Sequence, residues 1–243
     1  MIVLAIDTAT PAVTAGVVRC ATTTEATTTE ATTAEAATTE AATAEALATR
    51  VTVDARAHGE LLTPHITAVL AEAEIRFDQV DAIVCGIGPG PFTGLRVGMV
   101  TAASLGHALG VPVYGVCSLD AIAAEASGDS VLVVTDARRR EVYWAHYRGG
   151  RRVAGPEVTA PAELPDVGAT VAAGDGARIY ADVIGLPVVG PAYPSPAGLV
   201  SAAGPLDGVP AEFRPLYLRR PDAVEPGARK KVSAGPQPPR PAA

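Results

Sequence analysis

Apolar residues run without interruption through 2–6 (Ile-Val-Leu-Ala-Ile) and stop at Asp7; a second run, Ala-Val-Thr-Ala-Gly-Val-Val, fills 12–18. Thr-Ala-Thr-Pro lies between them. The pattern predicts two buried strands joined by a hairpin turn. A third strand is expected over 49–56, TRVTVDAR. Leu62, Ile66, Val69 and Ala73 then recur at helical spacing, predicting a helix over 60–74, although Pro64 suits a first turn better than a middle. DAIVCGI (81–87) reads as a strand, and 94–109 as a helix closed by Gly110. VPVYGV (111–116) and LDAIAAEA (119–126) follow as a strand and a short helix. The order is βββαβαβα, an α/β layer architecture.

A second unit opens near Ser130. VLVVTDARRREVYWAHY repeats the first hairpin without a gap, setting Asp136 on Asp7, Val142 on Val13 and His146 on Val17. TVAAGDGARIYADVIG (170–185) reads as strand, glycine turn and helix. Chance similarity of two hairpins is the alternative. Two halves that each open on a strand ending in Asp suggest the duplicated actin-like (ribonuclease H-like) fold, with subdomains over 1–125 and 126–220.

Two stretches break the pattern. Residues 21–45 are five pentapeptides, ATTTE, ATTTE, ATTAE, AATTE and AATAE, with no large apolar side chain. They are expected to form a mobile acidic insertion between strands, a transient Ala/Glu helix being the alternative. Residues 221–243 hold six prolines and are expected to be a disordered tail. The chain is 48% hydrophobic but only 4% aromatic, so its core is built from Ala, Val, Leu and Ile. The net charge of −7 argues against a generic nucleic-acid binder. Residues 214–243 carry seven basic and two acidic side chains, leaving −12 on the remainder. Cys20, Cys85 and Cys117 have neither disulfide nor zinc spacing and read as buried thiols. Residues 97–119 are uncharged, but Gly110 and Pro112 divide them into helix and strand rather than a membrane span. MIVLAID lacks a basic leader, and a soluble, cytoplasmic protein is expected.

The chemistry turns on GIGPGPFTGLRVG (86–98), a glycine loop between strand and helix. It is no P-loop, since no lysine precedes Lys230, and Pro89 and Pro91 remove two donors. Asp7, Thr8, Gly88, Gly90, Thr93 and Gly94 form a weak phosphate-loop-like set; a rigid strand-to-helix connection is the alternative. Asp7 is either a magnesium ligand or a turn cap. His58, His65, His107 and His146 lack helical metal-site spacing. Arg138, Arg139 and Arg140 crowd one turn, with Arg148, Arg151 and Arg152 nearby; solvated turns or RNA phosphate contacts would explain them.

LAIDTAT, GIGPGPFTGLRVG, GVPVYGVCSLDAIA, DARRREVYWAHY and PLYLRR together resemble the TsaB (YeaZ) family, bacterial dimerisation subunits for tRNA threonylcarbamoyladenosine synthesis. The resemblance covers nearly the whole chain except 21–45 and the tail. It implies the actin-like fold and a non-catalytic scaffold that dimerises with the metal-binding paralogue TsaD. That enzyme transfers threonylcarbamoyl to adenosine 37 of tRNAs reading codons that begin with A. TsaD holds its metal through an HxxxH pair, and Ser118 and Ile122 stand in those places here. Isoleucine has no ligand atom and serine is a poor ligand. The implied partners are TsaD, the TsaE ATPase, a second copy of the chain when alone, and tRNA through the complex. No cofactor of its own is implied beyond weak nucleotide binding at the complex interface. The family docks through two helices, here 60–74 and 94–109, which makes Leu61, His65, Met99, Ala103 and Gly106 the interface candidates. Burial in the chain's own core is the alternative for each. The opposing reading is an active actin-like ATPase or sugar kinase, or a metal-free peptidase-like enzyme.

Overall fold

The computed structural model describes residues 1–20 and 44–219; most of the pentapeptide repeat and the proline-rich tail lie outside the described residues. Strands β1 (Ile2–Asp7), β2 (Ala12–Cys20), β3 (Ala44–Val53), β4 (Ala82–Gly86) and β5 (Val113–Val116) form a sheet in the order β3-β2-β1-β4-β5. The first three are antiparallel, and β1, β4 and β5 run parallel. Helices α1 (His58–Glu72), α2 (Phe92–Leu109) and α3 (Ser118–Ala123) complete the expected βββαβαβα order. Both faces are covered, so alternation is lost in β1. Leu4 and Ile6 pack under α1 and α2, while Val3 and Ala5 pack under α3 and α6 (Pro196–Ala203). Every residue from Val3 to Asp7 is buried.

Three boundaries differ from expectation. β3 begins at Ala44, inside the last pentapeptide, because Cys20 pairs with Ala44 and Arg19 with Glu45. Backbone pairing thus overrides a composition that offers no apolar face. α1 starts at His58 and therefore encloses Pro64, which removes one helical N–H on the exposed side. α2 starts at Phe92, on Pro91, and ends at Gly110 in the left-handed conformation. No described helix is long and apolar enough to cross a membrane.

The second sheet, β8-β7-β6-β9, comprises β6 (Ser130–Asp136), β7 (Val142–Arg148), β8 (Arg151–Thr159) and β9 (Val171–Ala173). It is an abridged copy: no α-helix joins β8 to β9, and one bridge, Ala172 to Val188, stands beyond β9. α4 (Asp175–Ile179) and α5 (Ala181–Ile184) cover the Trp144 face. The hairpins do not repeat gap-free. Asp7 pairs with Thr14 across residues 8–13, whereas Asp136 pairs with Val142 across 137–141. The second turn is one residue shorter.

α3 lies between the sheets. Leu119 and Ile122 pack with Val131, Val133 and Tyr143 of the second sheet, while Ala121 packs with Val3 and Val84 of the first.

Candidate functional site

β1 ends on Asp7, β4 on Gly86, and α3 begins on Ser118, so the three ends converge. The Asp7 carboxylate is wholly buried. The Ser118 hydroxyl donates to its Oδ2 at 2.5 Å, and the Ala9 N–H donates to Oδ1 at 2.9 Å. Burial pushes the Asp7 carboxyl up to about 6, against the pull of the Ser118 and backbone hydrogen bonds. The glycine loop closes onto this same turn. A Cβ on Gly86 would lie 1.7 Å from Asp7 Oδ2, and one on Gly90 would lie 2.0 Å from the Ala9 carbonyl oxygen. Thr8 Oγ1 donates to the Gly94 carbonyl at 2.7 Å and accepts from the Gly98 N–H at 2.9 Å. His58 Nε2 donates to the Thr10 carbonyl at 2.8 Å.

The structure therefore brings together Asp7, Thr8, Gly88, Gly90 and Gly94, and fills the space between them with the chain's own β1–β2 turn. Thr93 alone of that set is exposed, on the outer side of α2. As it stands, Asp7 acts as a turn cap that also fixes Ser118. Ile122 is fully buried in the second core. Among the described residues, no group of three or more His, Cys, Asp or Glu could hold a metal ion.

A segment that sequence reasoning gave no role crosses this region. The Leu216 N–H donates to the Ile87 carbonyl at 2.8 Å, and Phe213 packs on the first core. Leu216 and Leu218 pack on the second. The Tyr217 ring stacks on Phe92 with centroids 5.3 Å apart, and its hydroxyl accepts a hydrogen bond from Arg96 Nε at 2.9 Å. Arg219 donates to the Ala137 carbonyl at 3.0 Å and is ion-paired with Glu141. Residues 213–219 thus strap the glycine loop to the second hairpin.

In the second half Asp136 is half-buried, and its N–H donates to Asp175 Oδ1 at 3.3 Å. Asp175 is 4% exposed; burial, reinforced by the Asp136 charge, pushes its carboxyl up to about 6. Sequence reasoning missed it, although Asp between two glycines after a strand (174–176) was a readable signal. The turn above it is unusual. Arg138, Arg139 and Arg140 hold φ of 60°, 56° and 63°, a conformation costing residues with a Cβ about 1 kcal/mol or more each.

The interface candidates separate. Met99 is 7% exposed within the first core, and Gly106 packs against Val113; both face inward, which corrects their placement on a docking surface. Their spacing marks the core face of α2 instead. Ala103 is exposed, and Leu61 and His65 are half-buried, with His65 Nε2 2.9 Å from Thr52 Oγ1. The outward face of α2 carries Phe92 and Val100, 49% and 63% exposed, beside a shallow groove of about 430 Å³ lined also by Thr93, Arg96, Val97 and Thr101. Of the cysteines, Cys85 and Cys117 are buried and Cys20 is half-exposed. His146 is buried against Ser130.

Residues 45–188 match the family model of TsaD, tRNA N6-adenosine threonylcarbamoyltransferase. An uncharacterized protein of Mycobacterium tuberculosis is 55% identical over 91% of this chain and 93% of its own length. One of Mycobacterium leprae is 53% identical over 91% of this chain, which spans 56% of that longer relative. The tRNA threonylcarbamoyladenosine biosynthesis protein TsaB of Haemophilus influenzae is 37% identical over 37% of this chain and 40% of its own. The solved structure of YeaZ from Pseudomonas aeruginosa superposes with a TM-score of 0.65 at 25% identity, covering 89% of this chain and 99% of that one.

Proposed function

Because the chain belongs to the TsaD family, with relatives named TsaB and YeaZ and their actin-like fold, we propose that it is a non-catalytic subunit of tRNA threonylcarbamoyladenosine synthesis that pairs with a TsaD-type subunit. The observation that carries this reading is the filled site. Ser118 caps Asp7, Thr8 occupies the first turns of α2, and Ile122 sits in a core. A buried carboxylate held by its own chain, with no cluster of three or more metal-ligating side chains among the described residues, is poorly disposed to hold a metal, and glycines closed on backbone leave no cradle for a phosphate. No cofactor of its own is proposed; weak nucleotide binding belongs to the interface with the partner. The docking surface is the outward face of α2, with Phe92, Val100 and Ala103, flanked by Leu61. The same face serves a homodimer when the partner is absent. A TsaE-type ATPase joins the assembled pair, which acts in the cytoplasm.

Co-purification with a TsaD-type subunit, followed by a tRNA modification assay, tests the reading. The expected result is a stable pair, no transfer by this chain alone, and transfer by the pair. Ala103 is exposed, so Ala103→Arg should stay folded by circular dichroism while pairing weakens about a hundredfold, as for an unpaired charge at a close helix contact. Modification of tRNA by this chain alone, or ATP hydrolysis abolished by Asp7→Ala, would overturn it in favour of an active enzyme.

A further inference from the structure

The turn at Arg138–Arg140 serves neither the filled site at Asp7 nor the outward face of α2. All three side chains are exposed, and all three residues are left-handed. Glycine takes that conformation at least cost. The other hairpin turn of the same sheet follows this rule: Gly149 and Gly150 hold φ of 54° and 72°. Backbone geometry at 138 and 140 therefore calls for glycine or asparagine and receives arginine at both. Strain that a small residue would relieve is a signature of side chains retained for contact with something outside the fold.

The surroundings narrow what that contact is. Glu141 is ion-paired with Arg219, and Asp175 is buried beneath the turn, accepting the Asp136 N–H. Asp136 is half-buried at the foot of the turn, and the arginines at 138 and 140 are exposed; Arg178 on α4, also exposed, donates to the Gly190 carbonyl at 3.1 Å. Two exposed guanidiniums presented by one short turn match the oxygens of a phosphate backbone.

We propose that this turn, through Arg138 and Arg140, contacts the phosphate backbone of RNA directly. The choice of RNA over an acidic protein rests on the proposed role in tRNA modification.

The test is fluorescence anisotropy of an end-labelled tRNA transcript. It is titrated with the full chain, alone and paired with a TsaD-type subunit, between about 50 and 200 mM salt. Arg138→Asn/Arg140→Asn should weaken binding about tenfold and lower the slope of log affinity against log salt by about two. Its thermal midpoint should be unchanged or higher. Arg138→Gly/Arg140→Gly, which the backbone favours more, takes its place should the asparagine variant fail to fold. Arg148→Asn/Arg151→Asn makes the same change of charge at the other end of β7 and should leave binding intact. Equal losses in both doubles, no loss in the first, or no tRNA binding by the unmodified chain in either state would overturn the inference. So would displacement of tRNA by polyglutamate of matched charge as readily as by unlabelled tRNA. Failure to pair with a TsaD-type subunit would instead count against the proposed function, and the titration of the chain alone would still decide the arginine turn.

Discussion

The two hairpins that open the two halves begin alike, with a buried apolar strand ending in aspartate, and end differently. In the first, the carboxylate is buried, Ser118 and Ala9 each donate to one of its oxygens, and the glycine loop wraps the turn. In the second, the aspartate is half-buried, the turn is one residue shorter in register, and three arginines point outward from a left-handed backbone. One strand end has become interior architecture and the other has stayed a surface. The comparison shows that a shared local motif fixes where a carboxylate sits along the chain. What packs over it fixes what it does.

The largest effect is expected from breaking the enclosure of the first hairpin. Gly86→Ala would place a Cβ 1.7 Å from Asp7 Oδ2 and 2.9 Å from Ser118 Oγ. A loss of about 3 kcal/mol or more is expected, read as a drop in the chemical-denaturation midpoint. An unchanged midpoint would mean that the two strand ends are not in contact.

A smaller effect is expected from titrating it. Burial holds the Asp7 carboxyl at about 6 in the folded chain, above its unfolded value of about 4. The folded state therefore binds this proton more tightly. The resulting stability is fully present below about pH 4 and is lost as pH rises through about 6. Asp175 contributes with the same sign. Asp7→Asn should flatten the fall in stability between these limits by about 2–3 kcal/mol, measured by urea unfolding at a series of pH values. An unchanged profile would show that Asp7 is solvated.

The smallest effect sharpens the contrast between turns of the second sheet. Arg140→Gly should leave stability unchanged or raise it by up to about 1 kcal/mol, because it relieves a positive φ. Gly149→Ala imposes the same conformation on a side chain and should cost about 1 kcal/mol, although no atom lies within 4 Å of the new Cβ. Equal effects in thermal melts would remove the argument that the arginines are retained at a cost.

Much of this architecture was readable. Runs bounded by turn residues gave β1, β2, β4 and the β6–β7 hairpin, and Gly110 gave the end of α2, because in each case local chemistry and tertiary packing agree. β8 was hidden because Gly155 and Pro156 interrupt RRVAGPEVT. α6 carried a legible start, Ser195 capping the Gly198 N–H ahead of Pro196, but its eight residues are short for a periodic signal. Asp7 and the glycine loop were recognisable as a unit. That the loop would close on the Thr8 turn rather than on a ligand was not, since the bonds of Thr8 to Gly94 and Gly98 span most of the first half. The strap at 213–219 has no periodicity, and the contacts that tie it to the glycine loop and the second hairpin are distant in sequence. Met99 and Gly106 were assigned to the wrong side of α2 because one helix offers two stripes, and spacing alone does not say which faces the sheet.

α6 also sets an order of events during synthesis. Leu199 and Val200 cover Val3, Ala5, Val18 and Val84 of the first sheet, and the Thr14 hydroxyl donates to the Pro194 carbonyl at 3.0 Å. Beyond the part that α3 covers, this face of the first sheet stays bare until α6 has been made, far downstream of β1. N-terminal units commonly fold first as a chain emerges. Here strands of the first sheet must wait for a helix that follows the whole second sheet, and a nascent chain halted before α6 would leave much of an apolar sheet face open to chaperones.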